Sequence, residues 1–407
     1  MNYEYLSKIF YKNPEQFQQI YNVRFSSPTT KHLDFYIKQF NRNKEYPAFL
    51  CYTEELVLLT DQIYKKYEKF LMMVKQVPPI VLEQFTLWSL VGEIMSTNDI
   101  EGVTSTRREL SEIIKNNSTT SRFSSIVKMY NALRFHEIFK FKTCEDIRAL
   151  YDRFAHKEIV DNNAKYKLDG KIFRRESVDI ISATNKTLHR GMFPEEKIIK
   201  SMNVALQMLN DESTPFLVRV SIFHYLFGYI HPFYDRNGRT ARFIVSYFLS
   251  ENFNYLLALR LSLTIKRQRK KYYALFSDTN ADINCGDLTP FVLGFMEIIS
   301  STFDDIDVIL NHKMEQLEKY ERKLKTLIPN DELTQKIYEI LLQAGSFFGQ
   351  GVSMDTLMEL TGKSRNTIKS RFKATPANHI VVKSNKKNFY KVNMKIFFKS
   401  PYRGDTF

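Results

Sequence analysis

Twelve consecutive residues, His231-Pro232-Phe233-Tyr234-Asp235-Arg236-Asn237-Gly238-Arg239-Thr240-Ala241-Arg242, bring together a candidate base, a hard carboxylate, an anion-binding turn and two guanidinium groups. A histidine with the usual pKa of about 6.5 is largely neutral at pH 7 and can take a proton from an incoming hydroxyl, which makes His231 the candidate base. Asp235 offers the oxygen that Mg²⁺ prefers, and Mg²⁺ commonly joins protein carboxylates to phosphate oxygens. Asn237 and Gly238 tolerate unusual backbone angles, so their N–H groups can form an anion-holding nest. Arg239 and Arg242, three apart, share a helix face and can reach one polyphosphate.

The flanking elements place this chemistry. An apolar segment at residues 222–230 leads in, and Phe243, Ile244, Val245, Tyr247, Phe248 and Leu249 follow at helical spacing. A buried helix therefore runs into a polar loop from which a second helix leaves. Unpaired N–H groups and the helix dipole at that second N-terminus favour an anion, phosphate above all. Taken singly, each residue has an ordinary reading: a structural histidine, a turn before a helix, a solvated arginine face. Their conjunction at one helix entry points to nucleotide chemistry.

The stretch resembles the signature loop of Fic-domain proteins, H-P-F-x-(D/E)-(G/A)-N-(G/K)-R-x-x-R. The resemblance implies that His231 is the general base, Asp235 the Mg²⁺ ligand, Asn237 and Gly238 part of the phosphate nest, and Arg239 and Arg242 the polyphosphate clamps. It further implies transfer of AMP from ATP to a protein hydroxyl. Arg236 departs from the small residue usual at its position, and Gly238 matches the nucleotidyl-transferring members rather than the kinase-like branch, which carries lysine there.

Upstream, Leu82, Phe85, Leu87, Leu90, Ile94 and Met95 read as an amphipathic helix that Gly102 can stop, with Thr97 and Glu101 one turn apart on one face. Thr97, Glu101 and Gly102 fit the family's inhibitory motif, (S/T)-x-x-x-E-(G/N). By that resemblance Glu101 pairs with Arg242 and withholds it from ATP. Alternating apolar residues around Asp169-Gly170, between residues 166 and 181, predict a β-hairpin. The family carries a target-holding flap at this place, which would put Lys171, Ile172, Phe173 and Arg174 against the target by strand addition. Tyr272 and Tyr273 are expected near the adenine, and residues 287–291 resemble the segment that completes the domain.

Composition bounds the rest. A chain of 407 residues with 43% hydrophobic content can bury a full core and divide into two or three domains. No charged-then-apolar leader and no apolar run near membrane-spanning length is present, and the three cysteines, Cys51, Cys144 and Cys285, are widely scattered; the expectation is a cytoplasmic chain with reduced thiols and no membrane partner. The net charge is +14, yet residues 361–400 hold eleven Lys or Arg and no acid, so 14 − 11 leaves +3 for everything else. That basic region has the order of a winged helix-turn-helix: helices at residues 332–343, after Ser353 and at 365–373, then a wing at 379–383 and 388–392. Arg365, Asn366 and Lys369 would face a DNA major groove and Lys386 and Lys387 would meet phosphate, or the same fold would serve as a docking module.

The expected architecture is mainly α: a helical N-terminal part with the inhibitory helix (1–121), a Fic-like helical core with a small β-hairpin flap (122–310), a connecting helix (311–329) and a C-terminal winged helix domain (330–407). The expected function is an autoinhibited protein adenylyltransferase using ATP and Mg²⁺ on a Ser, Thr or Tyr hydroxyl of a target protein, itself included. Its rival is a DNA-binding regulator whose Fic-like domain senses a ligand or has lost turnover. Relatives often dimerise, so a homodimer belongs to the same expectation.

Overall fold

The computed structural model describes residues 3–116, 118–162, 168–181, 185, 187–328, 331–345, 351–385 and 387–397. The chain separates into two compact units, residues 1–68 with 90–304, and residues 69–89 with 305–407. Helices α1 (Leu6–Lys12) and α2 (Pro14–Ser26) precede the strand pair β1 (Thr30–Ile37) and β2 (Tyr46–Cys51). Two long helices, α3 (Glu54–Gln76) and α4 (Pro79–Ile100), lead to α5 (Arg107–Asn116), α6 (Ser124–Ala132) and α7 (Cys144–Asn162). A second strand pair, β3 (Asp179–Ile181) and β4 (Thr187–Arg190), comes before α8 (Glu195–Asn210), α9 (Phe216–Ile230) and α10 (Asn237–Asn252). Short α11 (Tyr255–Ala258), α12 (Leu261–Arg267) and α13 (Arg269–Asn280) connect to α14 (Thr289–Leu327). The last described elements are α15 (Glu332–Gly345), β5 (Val352–Ser353), α16 (Met354–Thr361), α17 (Arg365–Ala374), β6 (Ile380–Asn385) and β7 (Lys387–Val392).

The first unit is built around α9. Val220, Ile222, Phe223, Tyr225, Leu226 and Phe227 are all fully buried, as expected of a helix apolar on every side. Phe243, Ile244, Val245 and Leu249 of α10 are equally buried, and Phe243 meets Tyr130 and Phe154 edge-on at 5.2 Å. Each such side chain contributes roughly 1.5–3 kcal/mol by burial. The polar loop at residues 231–236 is thus held between two helices that cannot shift without opening the core.

Two boundaries differ from expectation. The helical reading of residues 1–121 is incomplete, because β1 and β2 pair antiparallel within it and Phe49 of β2 hydrogen-bonds residues 286 and 288. The run Tyr46 to Cys51 is short and apolar on both faces, a pattern that periodicity alone cannot separate from buried helix. The connecting helix expected at 311–329 is the distal part of α14, which has no proline after Pro290 and no glycine after Gly294 to stop it.

In the second unit, Ser353 and Ser364 cap α16 and α17 by accepting from the N–H groups of Thr356 (3.1 Å) and Thr367 (3.2 Å). The strands form an antiparallel sheet in the order β5-β7-β6. This succession is compatible with a winged helix-turn-helix. Among the described residues no helix is long and apolar enough to cross a membrane.

Candidate active site

α9 stops at His231, which takes a left-handed backbone conformation (φ 54°) and donates its N–H to Phe227 O at 3.0 Å. Pro232 cannot continue the helix. Phe233 is buried and stacks on Tyr151 at 3.8 Å, anchoring the loop from below. The Asn237 side chain closes the loop: its Oδ1 accepts from Phe233 N at 2.9 Å and its Nδ2 donates to Phe233 O at 2.7 Å. Within α10 the first N–H to find a helical acceptor is that of Thr240, bonded to Arg236 O at 3.0 Å. The N–H groups of Asn237, Gly238 and Arg239 therefore lie in the first turn, where an anion is favoured. Arg236 is the left-handed cap (φ 64°), and its buried guanidinium lies beside the Tyr151 hydroxyl and 3.5 Å from Asp235 Oδ2. The residue that departs from the family pattern is packed into the loop's support.

α4 brings the upstream motif to this loop. Val103 N donates to Asn98 O (2.9 Å) and Gly102 N to Asp99 O (3.0 Å), a Schellman stop that makes Glu101 the C-cap and needs the positive φ of Gly102, 72°. Arg242 Nε donates to Thr97 Oγ1 (2.9 Å), and its Nη2 donates to Thr97 O (3.0 Å) and Glu101 Oε1 (2.8 Å). Arg239 Nη1 reaches Asn98 Oδ1 at 3.4 Å, so Arg239 and Arg242 of α10 are both engaged by α4. Gly238 matters for its lack of a side chain: a β-carbon there would collide with Glu101 Oε1 and crowd Arg242 Nη1. The Glu101 carboxylate lies directly over the α10 N-terminus.

Residues 143–249 match the sequence profile of the Fic/DOC family. This chain carries a Fic domain. Its fold is similar to that of a solved Fic family protein from Desulfovibrio desulfuricans, with a TM-score of 0.51 at 17% identity over 86% of this chain and 98% of that one. Other solved structures with some likeness are a Fic-domain-containing signalling protein from Bacteroides thetaiotaomicron (18% identity, 60% of this chain and 94% of that one, TM-score 0.41) and Fic-1 from C. elegans (19% identity, 62% and 73%, TM-score 0.40). Members of this family often transfer a nucleotide monophosphate to proteins.

Strand pairing here is shifted along the chain from the hairpin expected between residues 166 and 181, of which 166 and 167 lie outside the described residues. Strand pairing joins Asp179–Ile181 to Thr187–Arg190, whereas Lys171, Ile172, Phe173 and Arg174 form a loop. Glu195 accounts for the shift, because its carboxylate accepts from the N–H groups of Lys171 (2.9 Å), Ile172 (2.7 Å) and Phe173 (2.9 Å) and so removes them from any strand ladder. Asp169-Gly170 does form a turn, with Gly170 N bonded to Phe173 O at 3.1 Å, but the turn closes on itself. Arg174 faces inward. Fully buried, it donates to His231 O from Nε (3.0 Å) and Nη2 (2.7 Å), to Met192 O (2.9 Å) and to Glu176 O.

Burial, with His189 and Arg174 nearby, pushes the His231 imidazole down to about 3, so it is neutral at physiological pH. For Arg242, burial works against the charge but the Glu101 carboxylate outweighs it, and its proton is held more tightly than usual. Asp235 is 39% exposed beside the α10 N-terminus, with Oδ1 accepting from Arg236 N at 2.7 Å. An exposed carboxylate beside a helix N-terminus is of the kind that Mg²⁺ takes when its other ligands come from phosphate and water. Tyr272 is buried, its hydroxyl 2.9 Å from His224 Nε2; the Tyr273 hydroxyl donates to Ile100 O at 3.2 Å and helps hold the end of α4.

Sequence reasoning missed Asn98, Glu195 and Glu93. Glu93 of α4 is fully buried, accepts from Ser262 N at 2.8 Å, and is pushed up to about 7 by burial against the opposing pull of Ser262 and Arg242. Its signal was available: it stands four residues before Thr97 on the same helical face. In the second unit Arg365, Asn366 and Lys369 are exposed on α17, and Arg365 pairs with Asp355 at 3.2 Å. Lys386 and the Lys387 side chain lie outside the described residues.

Proposed function

We propose that this chain is a protein adenylyltransferase held inactive by its own α4. The observation that carries the reading is the Glu101–Arg242 contact, 2.8 Å long, over the N-terminus of α10. With Glu101 withdrawn, the Arg242 Nη2 donor that it holds would turn to a polyphosphate beside Arg239, while the N–H groups of Asn237, Gly238 and Arg239 face its oxygens. Asp235 would hold Mg²⁺, which when bound offsets phosphate charge. His231 accepts the proton of a Ser, Thr or Tyr hydroxyl on the target. As the hydroxyl oxygen bonds to the α-phosphorus, the bond from that phosphorus to the bridging oxygen breaks, and pyrophosphate leaves with the electron pair. An arriving polyanion raises the proton affinity of His231, and a base so placed contributes roughly 10²–10⁴-fold. The pair β3–β4 would hold an extended target segment.

The test is a paired incubation of the Glu101→Gly chain with ATP labelled at the α- or the γ-phosphate. Label on protein from the α position alone is the expected result. Label from the γ position alone would make the chain a kinase, and no label from either would contradict the proposal.

A second reading, a DNA-binding regulator, draws on the acid-free residues 361–400 and on the exposed Arg365, Asn366 and Lys369 of α17. Mobility shifts with random duplex DNA at two salt concentrations test it. Salt-sensitive binding without AMP transfer favours the regulator.

A further inference from the structure

A cavity of about 790 Å³ lies in the first unit, walled on one side by β1 and the turn after it and on the other by β4, the residues that follow it and α8. It falls within the size range of ligand sites, roughly 300–1,000 Å³. Both walls are fastened to the last turn of α9. The Tyr229 hydroxyl accepts from Lys38 N (2.8 Å) and donates to Lys38 O (3.2 Å), while Tyr229 O meets His189 Nε2 at 2.7 Å. Met192 N donates to Ile230 O at 3.0 Å. A molecule seated in this cavity is therefore held in register with His231, the next residue of the chain.

The lining is cationic and aromatic. Lys38, Arg42, Lys197 and Lys200 make no ion pair among the described residues, and two carboxylates, Asp34 and Glu45, oppose them, so 4 − 2 leaves an excess of +2. Arg190 is neutralised by Asp179 and stacks over Phe40 at 5.3 Å. Tyr36 and Phe193 are exposed at 55% and 44%. Among the described residues β4 has β3 as its single strand neighbour, so one edge remains for an extended chain. Cations around aromatic rings beside a strand edge fit a peptide that carries acids and large apolar residues.

We infer that this cavity is an exosite for an acidic segment of the target protein, which holds the segment so that a neighbouring hydroxyl meets His231. The inference rests on the transferase reading, and nucleotide-free binding separates the two. The probes are a fluorescein-labelled 12-residue peptide of glutamates around one tyrosine, its lysine counterpart, and a 12-nucleotide oligothymidylate, each titrated against the full chain by anisotropy. The acidic peptide should bind, more weakly as salt rises, and the Arg42→Glu, Lys197→Glu, Lys200→Glu chain should lose at least about tenfold in affinity. The milder Arg42→Ala, Lys200→Ala chain should lose part of it, which guards against an unfolded triple variant. Equal binding of the lysine peptide, or unchanged affinity in both variants, overturns the inference. Oligothymidylate binding that the same substitutions abolish also overturns it, because the cavity then belongs to nucleic acid. A peptide that binds as expected but takes no AMP in the Glu101→Gly chain supports the exosite and counts against the transferase reading alone.

Discussion

Glu101 accepts from Arg242 at 2.8 Å while standing over Gly238, so one carboxylate covers a buried guanidinium and the helix N-terminus together. The pair is asymmetric: the Arg242 side chain is 1% exposed and that of Glu101 28%. The arginine cannot leave, and the carboxylate can.

The space above Gly238 holds the Glu101 carboxylate, and the proposed function puts a phosphate in the same place. In a Glu101→Gly background, Gly238→Ala should weaken ATP binding by about tenfold or more, equivalent to about 1.4 kcal/mol, because the added methyl group crowds Arg242 Nη1 and the space where the proposal puts a phosphate. Titration calorimetry reads this directly. Unchanged affinity would mean that nucleotide binds elsewhere.

Arg174 holds the His231 carbonyl from inside. Arg174→Met leaves the carbonyls of His231, Met192 and Glu176 without this donor, and unsatisfied buried acceptors cost roughly 1–3 kcal/mol each. The expected loss is at least about 2 kcal/mol in urea unfolding, with a fall in kcat larger than any change in KM for ATP. A variant of native stability would remove Arg174 from this structural role.

Glu93 gives stability an inverted pH dependence. Its folded-state pKa is raised from 4.5 to about 7, so the folded chain binds more protons across that window, and the stability present below pH 4.5 is lost as pH rises through 7. The loss is about 3 kcal/mol in order of magnitude. Glu93→Gln keeps an acceptor for Ser262 N and should raise Tm at pH 8 while leaving Tm at pH 4.5 nearly unchanged. Equal shifts at both pH values would contradict this.

His231 should not impose its usual acid limb. A histidine titrating near 6.5 would halve kcat/KM at that pH; one lowered to about 3 stays neutral well below it. The kcat/KM of the Glu101→Gly chain should be flat from pH 8 to pH 5.5, and a limb centred at 6.5 would assign an ordinary environment to the base.

Much of the site was legible because its information is local. Residue types from His231 to Arg242 point to a helix entry suited to an anion, and Gly102 states where α4 must stop. What could not be read depends on distant partners. The Asp169-Gly170 turn looks like a hairpin, but Glu195 takes the N–H groups that a ladder would need. Arg174 reads as an exposed flap residue until the carbonyls of His231 and Met192 surround it. The strand at Tyr46–Cys51 depends on residues 286 and 288, more than 200 positions away. Arg236 departs from the family pattern, and its place beside the Tyr151 hydroxyl depends on a distant helix.

The central claim is that α4 holds a competent transferase closed through Glu101. The most direct measurement is the rate of α-phosphate label transfer from ATP to protein by the unmodified, Glu101→Gly and Glu101→Gly, His231→Ala chains at equal concentration. The expected result is little transfer by the first, at least about tenfold more by the second, and loss of that gain in the third. Equal transfer by the first two, or transfer by the third that matches the second, would contradict the account.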